Sequence, residues 1–148
     1  MLKNYTFWLK TAATLQILTA LLHSLSFINK PQGTNDKEKE MITLMTTNKM
    51  DMGAGFTPTM FNIVTSMSIG FALMLVLGGV INWYLLRKKA GPEIMRGIIV
   101  INIIVFGISF VANCFLTFLP PVVCTGLIFL SLVLAFMTVP KTGIMNNK

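Results

Sequence analysis

The chain has 148 residues, is 54% hydrophobic and only 11% charged, and carries a net charge of +7. A soluble domain averages about 25% charged residues, so water is not the main surround here, and the length suits one domain. Cys114 and Cys124 form no CxxC and His23 is the single histidine, which argues against a disulfide framework, a zinc site, a histidine-rich metal centre and a Ser-His-Asp set.

The first apolar run spans residues 7–28, after Lys3 and Lys10 and before Lys30-Pro31. It is near the lower length limit for a transmembrane helix. A cleaved signal peptide is the rival reading, but the run is long and lacks a good A-x-A site.

Residues 29–56 form the long connection, expected on the external side. Pro31-Gln32-Gly33 is turn material, and Asn35 followed three residues later by Glu38 resembles a capping box. Met41, Leu44, Met45 and Met52 then share one helical face, which predicts an amphipathic helix over residues 36–52, ended by Gly53-Ala54-Gly55. Thioethers are soft Cu(I) ligands, but packing accounts better for methionines on an apolar stripe.

Thr57-Pro58 reads as a helix start, and the apolar run that follows continues to Leu86. At about 1.5 Å per residue this helix is longer than a hydrocarbon core of about 30 Å. It closes on Trp83 and Tyr84 and then Arg87-Lys88-Lys89, an aromatic belt and a basic stop. After a short turn, residues 94–118 form the next predicted span, with Glu93 favoured by the dipole at its start. Leu119-Pro120-Pro121 is expected to make a tight corner before a last span over residues 121–139. The expected fold is therefore all-α: a single membrane domain, an up-down-up-down integral membrane four-helix bundle with an external amphipathic helix between the first two spans.

Lys3, Lys10, Arg87, Lys88, Lys89, Arg96, Lys141 and Lys148 fall on one side of this arrangement. Lys30, Lys37, Lys39 and Lys49 fall on the other, offset by Asp36, Glu38, Glu40 and Asp51. The positive-inside rule places both termini in the cytoplasm, with the bacterial inner (plasma) membrane as the expected location. Basic residues at span ends meet anionic lipid rather than nucleic acid, so membrane lipid is the expected partner and nucleic acid is not.

Polar side chains recur at helical spacing. Gln16, Thr19, His23 and Ser26 line one stripe, and Asn102, Ser109, Asn113 and Thr117 another, while Asn62, Thr65, Ser66 and Ser68 lie near the start of the second span. Facing lipid is costly for such groups, so the stripes should face other helices. Interhelical hydrogen bonding explains them simply. The sharper reading is an outward-facing polar pocket with His23, Asp51, Asn62, Ser66 and Asn113 as ligand-binding candidates, Asp51 being the acidic partner available to His23. No catalytic residue, metal ligand or cofactor is expected.

In size the chain resembles the small drug-exporter class of four-helix transporters. That resemblance implies proton coupling through a carboxylate in the first helix, where this chain has Gln16 and His23 and no acid. A proton antiporter is therefore not expected. The function expected from the sequence is a non-enzymatic bundle that binds a lipid, a lipophilic small molecule or a membrane-protein partner, with homo-oligomerisation also open. The alternative is a small membrane enzyme or carrier built around His23.

Overall fold

A computed structural model describes residues 4–27 and 32–140. Lys3, Lys30, Lys141 and Lys148, which entered the charge count, lie outside the described residues, as does Pro31 of the expected turn. The regular elements of the described chain are helices: α1 (Tyr5–Ser24, extended by a 3-10 turn Leu25–Phe27), α2 (Asp36–Thr47), α3 (Met60–Arg87), α4 (Pro92–Leu116) and α5 (Leu119–Thr138). Three of these, α3, α4 and α5, are long and apolar enough to cross a membrane. α1 has the length, at 20 residues, but Lys10, Gln16, His23 and four threonines on it dilute its hydropathy.

The chain divides into two compact units, one of residues 1–19 with 75–148 and one of residues 20–74. In the first unit the buried positions follow the helical repeat. Leu9, Ala12, Ala13 and Gln16 face inward on α1, and Leu75, Gly79 and Asn82 do so on α3. Met95, Ile99 and Phe106 continue the core on α4, and Thr125, Ile128, Leu132 and Ala135 on α5.

α4 and α5 interlock through glycine and phenylalanine. The Phe110 and Phe129 rings stack with centroids 6.1 Å apart. A Cβ on Gly126 would come within 2.9 Å of the Phe110 ring, and one on Gly107 within 3.0 Å of the Phe129 ring. Each ring therefore lies over the other helix's glycine, where a larger residue would hold it off. The corner between these helices is tighter than expected: α5 begins at Leu119, so Pro120 and Pro121 sit in its first turn, where their missing N–H groups have no helical partner to lose.

In the second unit, Asn35 caps α2 by accepting the Glu38 N–H at 3.0 Å. The reciprocal half of the expected box shifts by one residue, because Glu38 Oε2 accepts from the Thr34 N–H and hydroxyl at 2.7 and 2.6 Å. α2 stops at Thr47, five residues before the expected end at 52, because the following residues turn into a hairpin. Met50 donates to the Pro58 carbonyl and Met52 to the Phe56 carbonyl, with Lys49 bridged to Thr59. At its tip Phe56 donates to the Gly53 carbonyl. Ala54 (φ 50°) and Gly55 (φ 82°) are both left-handed, as a tight two-residue hairpin loop requires. Pro58 is thus part of the hairpin, and α3 starts two residues later than expected, with the Thr59 hydroxyl accepting the Asn62 N–H at 3.3 Å. The half-buried side of α2 is Glu38, Ile42 and Met45, whereas Met41 and Leu44 are exposed.

Candidate functional site

The five residues proposed from the sequence fall in different surroundings. His23 is half-buried at the end of α1, edge-on to Phe27 and Phe71 with ring centroids 5.6 and 5.4 Å away. Its Nε2 is buried without a hydrogen-bond partner. Asp51 is exposed in the hairpin, where its carboxylate accepts the Gly53 N–H at 2.9 Å. That contact shapes the turn, and no hydrogen bond or ion pair joins Asp51 to His23. Asn62 and Ser66 are exposed on α3, while their neighbours Thr65 and Ser68 are the half-buried members of that polar group. Asn113, in the first unit, donates to the Thr125 hydroxyl at 3.3 Å across the α4–α5 pair. Cys114 is exposed, Cys124 half-buried, and both are free thiols.

The first unit holds a more closely knit polar group. Gln16 of α1, Asn82 of α3 and Asn102 of α4 meet in its interior. Asn82 Nδ2 donates to Gln16 Oε1 at 3.1 Å, and Gln16 Nε2 donates to Asn102 Oδ1 at 3.1 Å. Asn102 anchors itself by donating to the Ile98 carbonyl at 2.9 Å. Gln16 and Asn82 are fully buried. Gly78 makes room for them, since a Cβ there would come within 3.1 Å of Gln16 Nε2. Gln16 and Asn102 stand out in the sequence as members of polar stripes, but Asn82 is easily passed over beside the aromatic pair Trp83-Tyr84. Its signal is local: it is the one carboxamide in the second half of an otherwise apolar helix, and such a group belongs inside.

Next to this group, still within the first unit, lies a recess of about 670 Å³ between α1 and α3. Its lining changes character along its length. Ile17 and Val80 form an apolar inner end, and Leu86, Trp83 and Tyr84 add apolar and aromatic walls. Thr6, Lys10 and Arg87 supply polar and cationic groups towards the other end. Lys88 lies over the Tyr84 ring at 5.8 Å, so a third cation stands beside that wall. The lining contains no acid, and among the described residues the one ion pair is Lys39 with Asp36, in the other unit.

The two helices touch closely at Ile17, one of the lining residues. A Cβ on Gly79 would come within 2.7 Å of Ile17 Cγ1 and 2.9 Å of the Ala13 carbonyl oxygen. There the helices meet backbone to side chain. None of the five residues proposed from the sequence lines this recess. Among the described residues no group of three or more His, Cys, Asp or Glu comes together to hold a metal ion. No known family profile, curated protein or solved structure matches the chain.

Proposed function

We propose that the chain is an integral membrane protein with four spans, α1 joining α3, α4 and α5, and that it binds an amphiphile without transforming it. The observation that carries this reading is the graded lining of the α1–α3 recess, apolar at Ile17 and Val80 and cationic at Lys10 and Arg87. A lipid or lipophilic small molecule has the same polarity gradient, and the recess volume falls in the ordinary range of about 300–1,000 Å³ for ligand sites. The hydrogen bonds of Gln16 support α1 as a span, because they hide its most polar mid-helix side chain from lipid. The basic turn after α3 belongs in the cytoplasm on this reading, with both termini, and the plasma membrane of a bacterium is the proposed location.

The test is native mass spectrometry of protein extracted gently from its membrane. A retained lipophilic adduct is expected, and Ile17→Trp with Val80→Trp, which fills the inner end, should remove it. Protein that emerges bare, or an adduct indifferent to both tryptophans, overturns the reading.

A second reading places an outward-facing polar pocket around His23 and makes the protein a small enzyme or carrier. The observation in its favour is the buried, unpaired Nε2 of His23. A cellular phenotype that survives His23→Ala at normal membrane levels would end it.

A further inference from the structure

The recess has more specific chemistry than an apolar slot needs. We infer that its occupant is an anionic phospholipid whose phosphate is held between Lys10 of α1 and Arg87 of α3. This inference rests on the amphiphile reading above and adds the charge and class of the head group.

The lining brings one cation from each helix to the same recess and no acid to neutralise either. Among the described residues neither cation takes part in an ion pair. Two unpaired cations lining one recess repel each other, and a shared anion removes that cost. Phosphate fits the pair well: the planar arginine fork can donate two parallel hydrogen bonds to it, and the lysine ammonium adds a point charge.

Lys88 strengthens the same field. It stands over the Tyr84 ring at 5.8 Å, so it approaches from the aromatic wall. Arg96 of α4 does not line the recess, and its guanidinium stands 4.3 Å from the Phe136 ring centroid.

The inner end identifies the anion as part of a lipid. Lys10 and Ile17 are seven residues apart on α1, as are Arg87 and Val80 on α3. At 1.5 Å per residue, both helices carry the lining about 10 Å from cationic to apolar groups. A free phosphate would use only one end of that length. A phospholipid places its phosphate at Lys10 and Arg87, its glycerol region beside Tyr84, and the start of an acyl chain against Ile17 and Val80. The cytoplasmic leaflet, where this end of α3 is proposed to lie, is also the leaflet rich in anionic lipid.

The full chain in detergent is offered equal amounts of phosphatidylglycerol and phosphatidylcholine, and the bound lipid is counted by native mass spectrometry. Phosphatidylglycerol should be preferred by roughly tenfold, since each cation at the membrane surface adds several-fold for an anionic lipid. Lys10→Gln with Arg87→Gln should reduce that preference to near unity while phosphatidylcholine binding persists. The charge-keeping pair Lys10→Arg with Arg87→Lys should retain it, as should Lys37→Gln with Lys49→Gln, which removes the same charge from the connection. Inorganic phosphate alone should not displace the lipid.

Equal binding of both lipids by the unsubstituted chain overturns the anionic inference and leaves the amphiphile reading standing. So does a preference unaltered by Lys10→Gln with Arg87→Gln. Displacement by inorganic phosphate overturns the lipid assignment in favour of a bare-anion site. Binding of neither lipid overturns this inference and the amphiphile reading together.

Discussion

Glycines on the same helix make very different demands. Gly79 lies against α1, where an added methyl would meet Ile17 Cγ1 at 2.7 Å and the Ala13 carbonyl oxygen at 2.9 Å. The side chain can turn away, but the carbonyl belongs to a helix and cannot, so Gly79→Ala should push α1 off and cost about 1–3 kcal/mol. Gly70 has nothing within 4 Å of the same added methyl. Gly70→Ala should therefore be neutral or stabilise by up to about 1 kcal/mol, through helix propensity alone. Unfolding in mixed micelles titrated with a denaturing detergent measures both, and equal effects would contradict the close α1–α3 approach. The buried amides permit a similar ordering. Gln16→Met strips a donor from Asn102 and an acceptor from Asn82, whereas Asn82→Leu also removes a buried oxygen that already has no partner. The Gln16 substitution should be the costlier, by about 1 kcal/mol in the same assay.

At the scale of elements, α2 shows what local chemistry determines and what it leaves to the surroundings. Its beginning is legible in the sequence because Asn35 and Glu38 act within four residues of each other. Its end is not, because the methionine spacing continues through Met52 while the backbone leaves the helix to form the hairpin. A periodic pattern reports that a helix is compatible, and a competing hairpin with glycines at its tip can still take the residues. The start of α3 differs for the same reason, since Pro58 would suit a first helical turn but its carbonyl accepts from Met50. The Glu38 contacts give a pH prediction. Hydrogen bonds from the Thr34 hydroxyl and N–H, the largest causes, hold the Glu38 carboxyl below its ordinary value of 4.5. A carboxylate lowered in the folded state stabilises the fold above its unfolded value, and the contribution is lost as pH falls through the folded value. Amide exchange at Thr34 and the first turn of α2 should therefore show progressively weaker protection below about pH 4.5, after correction for intrinsic exchange. Glu38→Gln should remove that pH dependence, and an unchanged profile would show that the carboxylate does not hold the cap.

For the whole molecule, hydropathy identifies α3, α4 and α5 directly, because each is strongly apolar on average over the length of a span despite its few polar groups. α1 is the open member, and the recess bears on it. Lys10 of α1 and Arg87 of α3 line the same cavity, and Gln16 bonds Asn82. The N-terminal end of α1 therefore lies at the C-terminal end of α3. If α3 crosses the membrane, its own start at Met60 is on the opposite side, so the chain must cross once between Lys10 and Met60. α1 is the segment placed to do so, and its 20 residues reach about 30 Å, which matches the hydrocarbon core. The sequence supports this crossing only weakly, because Gln16, the polar group at the middle of α1, is hidden by partners far along the chain. Single cysteines in a Cys114→Ser, Cys124→Ser background decide the matter with a membrane-impermeant maleimide. Asn4→Cys and Ala90→Cys should react only after the cells are opened, and Asn48→Cys should react on intact cells. Asn4→Cys labelled together with Asn48→Cys on intact cells, and Ala90→Cys only after opening, would mean that α1 does not cross. It would also mean that Lys10 and Arg87 cannot share a lipid phosphate, because they would stand on opposite faces of the membrane.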